Sequence, residues 1–182
     1  MKSIRFGHVA CLLSMFWLGA CSPDQNWREV ALEGTSFKAQ LPCKPDKTTR
    51  SVEMGNQPVM LHVVGCESSG ALLAVMTVEL DAGADAVALM EGWQKATLQN
   101  IRVDARGTDV QQQMWHRPGQ LPLKSSLRIQ AKGVNPSGQE VKMEAVWGGV
   151  AAGDRIRLIH SVIYSPHISP ELANTLFEGL RP

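Results

Sequence analysis

Ala71-Leu72-Leu73-Ala74-Val75-Met76-Thr77-Val78-Glu79-Leu80 is a run of ten residues that is apolar at both odd and even positions. A strand with one solvated face alternates between apolar and polar residues, whereas this pattern is typical of a strand covered on both sides. The run therefore predicts a strand at the centre of a sheet, with other elements packed on both of its faces.

Two helices are predicted in the part of the chain that follows this strand. Asp85 can cap a helix that runs to about Asn100, whose apolar residues recur at helical spacing. Ser169-Pro170-Glu171 combines a capping serine, a proline at the first helical position and an acid in the first turn. The sequence thus predicts a central helix and a C-terminal helix.

Short segments of alternating hydrophobicity predict the remaining strands. The apolar–polar alternation is seen in the segments 29–33, 37–41, 59–64, 141–147 and 155–164, while 47–54 and 103–115 are strand-like but mostly polar. The polar segment 47–54 is expected at a sheet edge, and the glycines between 148 and 153 are expected to form a wide hairpin. The predicted fold class is α+β, with a largely antiparallel sheet of about 8–9 strands.

The phrase Gly34-Thr35-Ser36-Phe37-Lys38-Ala39-Gln40-Leu41-Pro42 resembles the opening strand of the PsbP/DcrB-like α/β/α sandwich group. The order of strands, central helix, antiparallel strands and terminal helix is also similar to that group, which includes many small bacterial lipoproteins. The resemblance implies this sandwich fold but no catalytic residues, because the group shares none. Cys43, directly after Pro42, departs from the group's usual small residue.

The N-terminus begins with basic residues, continues with an apolar stretch, and ends that stretch with two small residues and a cysteine. Lys2 and Arg5 precede an apolar stretch from Phe6 to Leu18, which is shorter than the roughly 20 residues that a transmembrane helix requires. Leu18-Gly19-Ala20-Cys21 resembles the lipobox of bacterial lipoproteins. The resemblance implies cleavage before Cys21 and lipidation of its thiol; the alternative is a plain signal peptide with an incidental cysteine.

These features predict the organisation and the location of the chain. Residues 1–20 are expected to be a signal peptide, 21–26 a short tether, and 27–182 a single globular domain. In lipoproteins an aspartate after the lipidated cysteine favours retention in the inner membrane. Ser22 occupies that position, and the expected location is therefore the periplasmic face of the outer membrane.

Cys43 and Cys66 remain once Cys11 and Cys21 are assigned to the leader and the lipid. In an oxidising periplasm a lone pair of cysteines is best interpreted as a disulfide. A redox pair or half of a metal site are alternatives, although the chain contains no C-x-x-C and has no histidine at ligand spacing from either cysteine.

Composition and motifs restrict the possible functions. Loss of Lys2 and Arg5 with the leader would change the formal net charge from +1 to −1, which gives no basic surplus for nucleic acid binding. The chain has no G-x-S-x-G, no phosphate-binding glycine loop and no H-x-H or H-x-x-x-H pair. We therefore expect no enzyme activity, no cofactor and no metal site.

The most unusual cluster of residues is Met114-Trp115-His116-Arg117-Pro118. Tryptophan and arginine are enriched at binding hot spots, so Trp115, His116 and Arg117 are candidate partner contacts. In the alternative interpretation, Trp115 ends a strand and packs beneath the loop.

The predicted function is a non-catalytic binding or accessory module of an envelope complex. The alternative is binding of a small hydrophobic ligand between the strand 71–80 and the methionine-containing face of the central helix.

Overall fold

The computed structural model describes residues 26–54 and 57–181 of the chain. A seven-stranded sheet dominates this part, and each neighbouring pair of its strands is antiparallel. The strands, in chain order, are β1 (Arg28–Ala31), β2 (Lys38–Leu41), β3 (Asp46–Met54), β4 (Gln57–Ser68), β5 (Ala71–Leu80), β6 (Val110–Met114), β7 (Leu127–Val134), β8 (Glu140–Ala152) and β9 (Arg155–Ser165). The helices are α1 (Ala86–Gln99) and α2 (Pro170–Glu178).

The large sheet is built from two antiparallel units that meet in its middle. Its strand order is β3-β4-β5-β9-β8-β7-β6. After β5 the chain crosses the sheet through α1 to the far edge, and then returns strand by strand until β9 pairs with β5. β5 is therefore an interior strand, and most of its length is covered on both faces, as the apolar run 71–80 predicts.

Each face of the sheet has its own hydrophobic core. On one face the buried side chains of Val78, Met143 and Leu158 pack together with Met90 of α1. On the opposite face Leu73 and the neighbouring buried strand residues pack against α2 and against β1 and β2. Both helices begin as predicted, because the side chain of Asp85 accepts from the N–H of Ala88 and that of Ser169 from the N–H of Leu172.

The nine strands of the described residues form two sheets, which corrects the expectation of one sheet of about 8–9 strands. β1 and β2 pair with each other and lie as a hairpin on the α2 face, where Lys38 of β2 also forms a single antiparallel bridge with Arg181. Arg157 of β9 holds the turn of this hairpin, since its guanidinium donates to the Glu33 carbonyl oxygen at 2.6 Å and also binds Glu79. The α+β class and the antiparallel pairing are confirmed.

Two predicted elements differ from the structure, one in its length and one in its position. The strand expected over 103–115 is shortened to β6, because the chain first makes turns after α1. Gly148 and Gly149 lie inside β8, and the hairpin between β8 and β9 is a tight two-residue turn at Gly153 and Asp154.

Neither α1 nor α2, the helices of the described part, is long and apolar enough to cross a membrane.

Candidate functional site

An open cleft of about 690 Å³ lies where α1 ends over the sheet. Its floor includes Leu72 of β5, Tyr164 of β9 and Val141 of β8, and its walls are the residues that end α1 and the turn between β7 and β8. The cleft exists because α1 stops at Gln99, which leaves this end of the sheet face without a helix above it.

Leu72 and Tyr164 are directly paired neighbours on the floor of the cleft. Leu72 is 45% exposed, one of the few large hydrophobic side chains of the described residues that face solvent to this degree. Burial raises the pKa of the Tyr164 hydroxyl to about 12. Tyr164 is therefore a neutral phenol at physiological pH, able to donate or accept one hydrogen bond above an apolar surface.

Polar side chains surround this apolar floor. Asn100 stands at the end of α1, while Asn135 and Gln139 belong to the β7–β8 turn. The Asn135 side chain accepts from the Gln139 N–H at 2.9 Å and donates to the Gln139 side chain at 3.2 Å, so the turn is held by its own hydrogen bonds. Glu67 and Glu140 add two carboxylates to the lining. The arrangement can bury an apolar group and offer hydrogen bonds around it.

The space between α1 and the sheet is filled by side chains. Met90 is fully buried, and His160 lies between Trp93 and Trp147, with ring centroids 5.1 Å and 4.3 Å away respectively. Burial lowers the pKa of His160 to about 3, while its Nδ1 lies 3.2 Å from the Val146 carbonyl oxygen. The methionine face of the central helix is thus part of the packed core, and the cleft lies beyond the helix end.

The predicted disulfide between Cys43 and Cys66 is present. It joins the residue that follows Pro42, just after β2, to a residue near the end of β4, with a Cα–Cα distance of 6.1 Å. Beside it, the N–H of Asn26 donates to the carbonyl oxygen of Pro42 at 2.9 Å. The first described residue is therefore attached close to the disulfide.

Trp115, His116 and Arg117 follow β6 and differ in their environment. The Trp115 side chain is half-buried and packs against the core on the α2 face, whereas His116 is exposed. Arg117 is half-buried, and its guanidinium donates to the carbonyl oxygen of Glu178 at the end of α2 at 3.2 Å. The segment is thus fixed to the domain, and its role in partner binding stays a prediction.

Metal ligands do not gather in any part of the chain that the structure describes: no group of three His, Cys, Asp or Glu side chains is placed to bind an ion. His62 lies near Thr49 and Glu33, 3.1 Å and 3.5 Å from their side-chain oxygens.

The predicted leader, the predicted lipidation site Cys21 and Ser22 fall outside the described residues.

No known protein family matches this chain, and no curated protein is significantly similar to it in sequence.

Sequence reasoning named the strand 71–80 as one wall of a possible ligand site but did not single out Leu72, and it missed Tyr164. Leu72 belongs to the run 71–80 that was expected to be covered on both faces, yet α1 ends before it reaches this residue. Tyr164 is the only tyrosine in the chain. Its position opposite Leu72 follows from the β5–β9 pairing, which joins segments far apart in sequence, and no local pattern reveals it.

Proposed function

We propose that this protein is a lipoprotein anchored through Cys21 to the periplasmic face of the outer membrane, where it acts as a non-catalytic binding module for another envelope protein. The lipobox residues 18–21 and Ser22 support the anchor and the location. We also assign the domain to the PsbP/DcrB-like sandwich group, on the phrase 34–42 and on the order of its strands and helices.

The disulfide supports export of the domain. Disulfides form and persist in oxidising compartments such as the bacterial periplasm, and are rare in the cytosol. Cys43 follows β2 of the small sheet and Cys66 lies in β4 of the large sheet, so their pairing depends on the native fold. A covalent bond at this position suits a domain that folds after export.

The cleft carries the proposal of a binding role. Its apolar floor, with Leu72 exposed and the Tyr164 hydroxyl beside it, is surrounded by amide side chains. Apolar side chains of a partner segment can cover such a floor, and amides can pair with the peptide groups of that segment. Small-molecule sites enclose most of their ligand, whereas this cleft is open along one side. An open site of this composition favours a protein segment.

The volume of the cleft favours one alternative, a small hydrophobic ligand. Its volume, about 690 Å³, falls within the range of about 300–1,000 Å³ that ligand pockets occupy. Such a ligand would lie on Leu72 and Tyr164 rather than beneath α1. Native mass spectrometry of the purified full chain distinguishes the two functions, because a small ligand adds a defined mass that Leu72→Glu removes.

A photo-crosslinking experiment tests the main proposal. A photoreactive phenylalanine analogue replaces Leu72 in the full chain, and a matched control carries it at Met60, another exposed apolar residue. Met60 lies on β4, outside the cleft. We expect one defined envelope protein to be crosslinked from position 72 in intact cells and not from position 60.

Removal of the lipid separates the anchor from the cleft. Replacing residues 1–21 by a plain cleavable signal peptide, which leaves no cysteine to carry lipid, should release the protein from the membrane fraction and reduce the crosslink from position 72. Equal crosslinking from both positions would contradict the binding site, whereas continued membrane association of the cleaved, lipid-free protein would contradict the anchor.

A further inference from the structure

The edge strand β6 presents unpaired backbone groups along one side. Trp115 N–H donates to the Ser126 carbonyl oxygen at 3.0 Å, and Lys132 N–H donates to that of Asp109 at 3.4 Å. In an antiparallel pair the hydrogen-bonded residues alternate, so the odd-numbered residues of β6 bond to β7. The N–H and C=O groups of Val110, Gln112 and Met114 therefore point away from β7, where no strand of the described residues pairs with them.

The two edges of the large sheet are protected differently. β3, the opposite edge, carries Asp46, Lys47, Arg50 and Glu53, and charges of this kind prevent edge-to-edge pairing in natural proteins. β6 has the sequence Val-Gln-Gln-Gln-Met, without a charge or a proline, and all five of its residues pair with β7 in unbroken register. Of the two edges, β6 is the one suited to accept another strand.

The sequence of β6 is complementary to itself. When two copies run antiparallel about a twofold axis at Gln112, each Val110 lies opposite Met114 of the other copy and each Gln111 opposite Gln113. The outward backbone groups belong to residues 110, 112 and 114, so this register places donors opposite acceptors. The Val110 N–H donates to the Gly107 carbonyl oxygen at 3.4 Å and would exchange this long turn bond for the new one. We infer that β6 is a self-association site, at which a second copy of this chain adds its own β6 and continues the sheet.

Side chains on and around β6 fit the same arrangement. Met114 is 67% exposed, whereas Val110 is half-buried against the core beneath α1. In the pair, Met114 of one copy would lie on Val110 of the other and lose much of that exposure. At the ends of the strand, Asp109 of one copy meets the segment that contains the exposed His116 of the other. The Asp109 carboxylate can accept a hydrogen bond from the imidazole there.

The size of this contact sets its strength. Stable protein–protein interfaces bury about 1,200–2,000 Å² in total, and one pair of five-residue strands covers less than that. The dimer should therefore be weak, and the dimeric fraction should rise with protein concentration. Such a dimer suits copies that are concentrated on one surface. The inference rests on β6 alone and requires neither the anchor at Cys21 nor the cleft at Leu72.

Cysteine crosslinking of the full chain in detergent tests the pairing. The Cα atoms of hydrogen-bonded antiparallel partners are about 5.5 Å apart, within the range that a disulfide bridges. Gln112→Cys should therefore form a disulfide-linked dimer under mild oxidation. The matched control is Ser51→Cys at the middle of β3, and the parental chain reports any background from its own cysteines. We expect crosslinking at least about tenfold faster for Gln112→Cys than for Ser51→Cys, because paired residues have a high effective concentration.

A mixed experiment tests the register. Val110→Cys and Met114→Cys chains should each crosslink slowly alone, because identical residues lie four positions apart in the dimer, and rapidly when mixed. Urea unfolding of each variant shows whether it folds. The inference is overturned if Gln112→Cys reacts no faster than Ser51→Cys, or if mixing the other two chains brings no increase. Crosslinking of the parental chain at the rate of Gln112→Cys would also overturn it.

Discussion

The imidazole of His160 lies flat against the indole of Trp147, with ring centroids 4.3 Å apart and an angle of 7° between the ring planes. The two residues are directly paired on β9 and β8. The edge of Trp93 from α1 covers the histidine at 5.1 Å, and His160 is 1% exposed. A histidine in this environment is an uncharged part of the core, and its protonation opposes folding.

Stability should fall when the pH drops from 7 to 5. Burial lowers the pKa of His160 to about 3 from a usual value of 6.5, so in this range the unfolded chain binds a proton that the folded chain does not. The contribution of His160 is complete above pH 6.5 and is lost as the pH falls toward 3. Urea unfolding should show a loss of about 2 kcal/mol between pH 7 and pH 5.

His160→Phe provides the control for this pH dependence. Phenylalanine keeps an aromatic ring against Trp147 but does not titrate, so the change between pH 7 and pH 5 should largely disappear. The hydrogen bond from Arg157 lowers the pKa of Glu79 below its usual value of 4.5. Protonation of Glu79 therefore affects stability mainly below this range and does not mask the effect of His160. An unchanged pH dependence in His160→Phe would refute the assignment.

Gly34→Ala should destabilise the domain more than Gly138→Ala does. Both glycines have positive φ, +69° and +83°, and alanine at either one is strained by about 1 kcal/mol or more. A Cβ at Gly34 would also overlap the Arg157 guanidinium, whereas a Cβ at Gly138 meets no atom. The difference in unfolding free energy between the two variants measures this contact. Equal losses would show that Arg157 moves aside without cost.

Arg128→Ala should cost about 3 kcal/mol of unfolding free energy, because it leaves a buried carboxylate without its partner. The Arg128 guanidinium binds Glu144, whose side chain is 7% exposed, and lies 5.2 Å from the centre of the Phe177 ring. The control is Lys38→Ala, which breaks an exposed pair with Glu29 and should cost much less, because solvent screens such pairs. Similar losses in urea unfolding would contradict this ranking.

Replacing Cys43 and Cys66 together by serine should lower the unfolding free energy by about 3 kcal/mol, as expected for a closed segment of this length. The two residues are 23 positions apart. A reductant should destabilise the parental protein by a similar amount and leave the double variant unchanged. An intact mass that shows two free thiols in protein from the periplasm would contradict the assignment of the bond.

The parts of the fold predicted from the sequence are those that local patterns determine. Asp85 and Ser169 begin their helices because a capping side chain needs only the next three residues. The strand 71–80 is predicted because burial on both faces leaves a continuous apolar run. The Cys43–Cys66 bond is predicted because a chain that is expected to be exported, with one remaining pair of cysteines, offers few alternatives.

Features that depend on distant contacts could not be predicted. The alternating segments 29–33 and 37–41 fit either two strands of the main sheet or a separate hairpin. Distant contacts show where the hairpin lies, among them the hydrogen bond from Arg157 to Glu33 across 124 positions. The cleft likewise depends on the place where α1 ends relative to Leu72, which the helix pattern alone does not define.

The bond between Cys43 and Cys66 also determines how the domain responds to a pulling force at its N-terminal end. Tension there reaches Asn26 and β1 first, and it can peel β1 from β2 one hydrogen bond after another. At Cys43 the force passes through the covalent bond directly into β4, and the 23-position segment between the cysteines bears no load. Stretched from its N-terminus, the domain should therefore lengthen by the hairpin alone before the large sheet has to break.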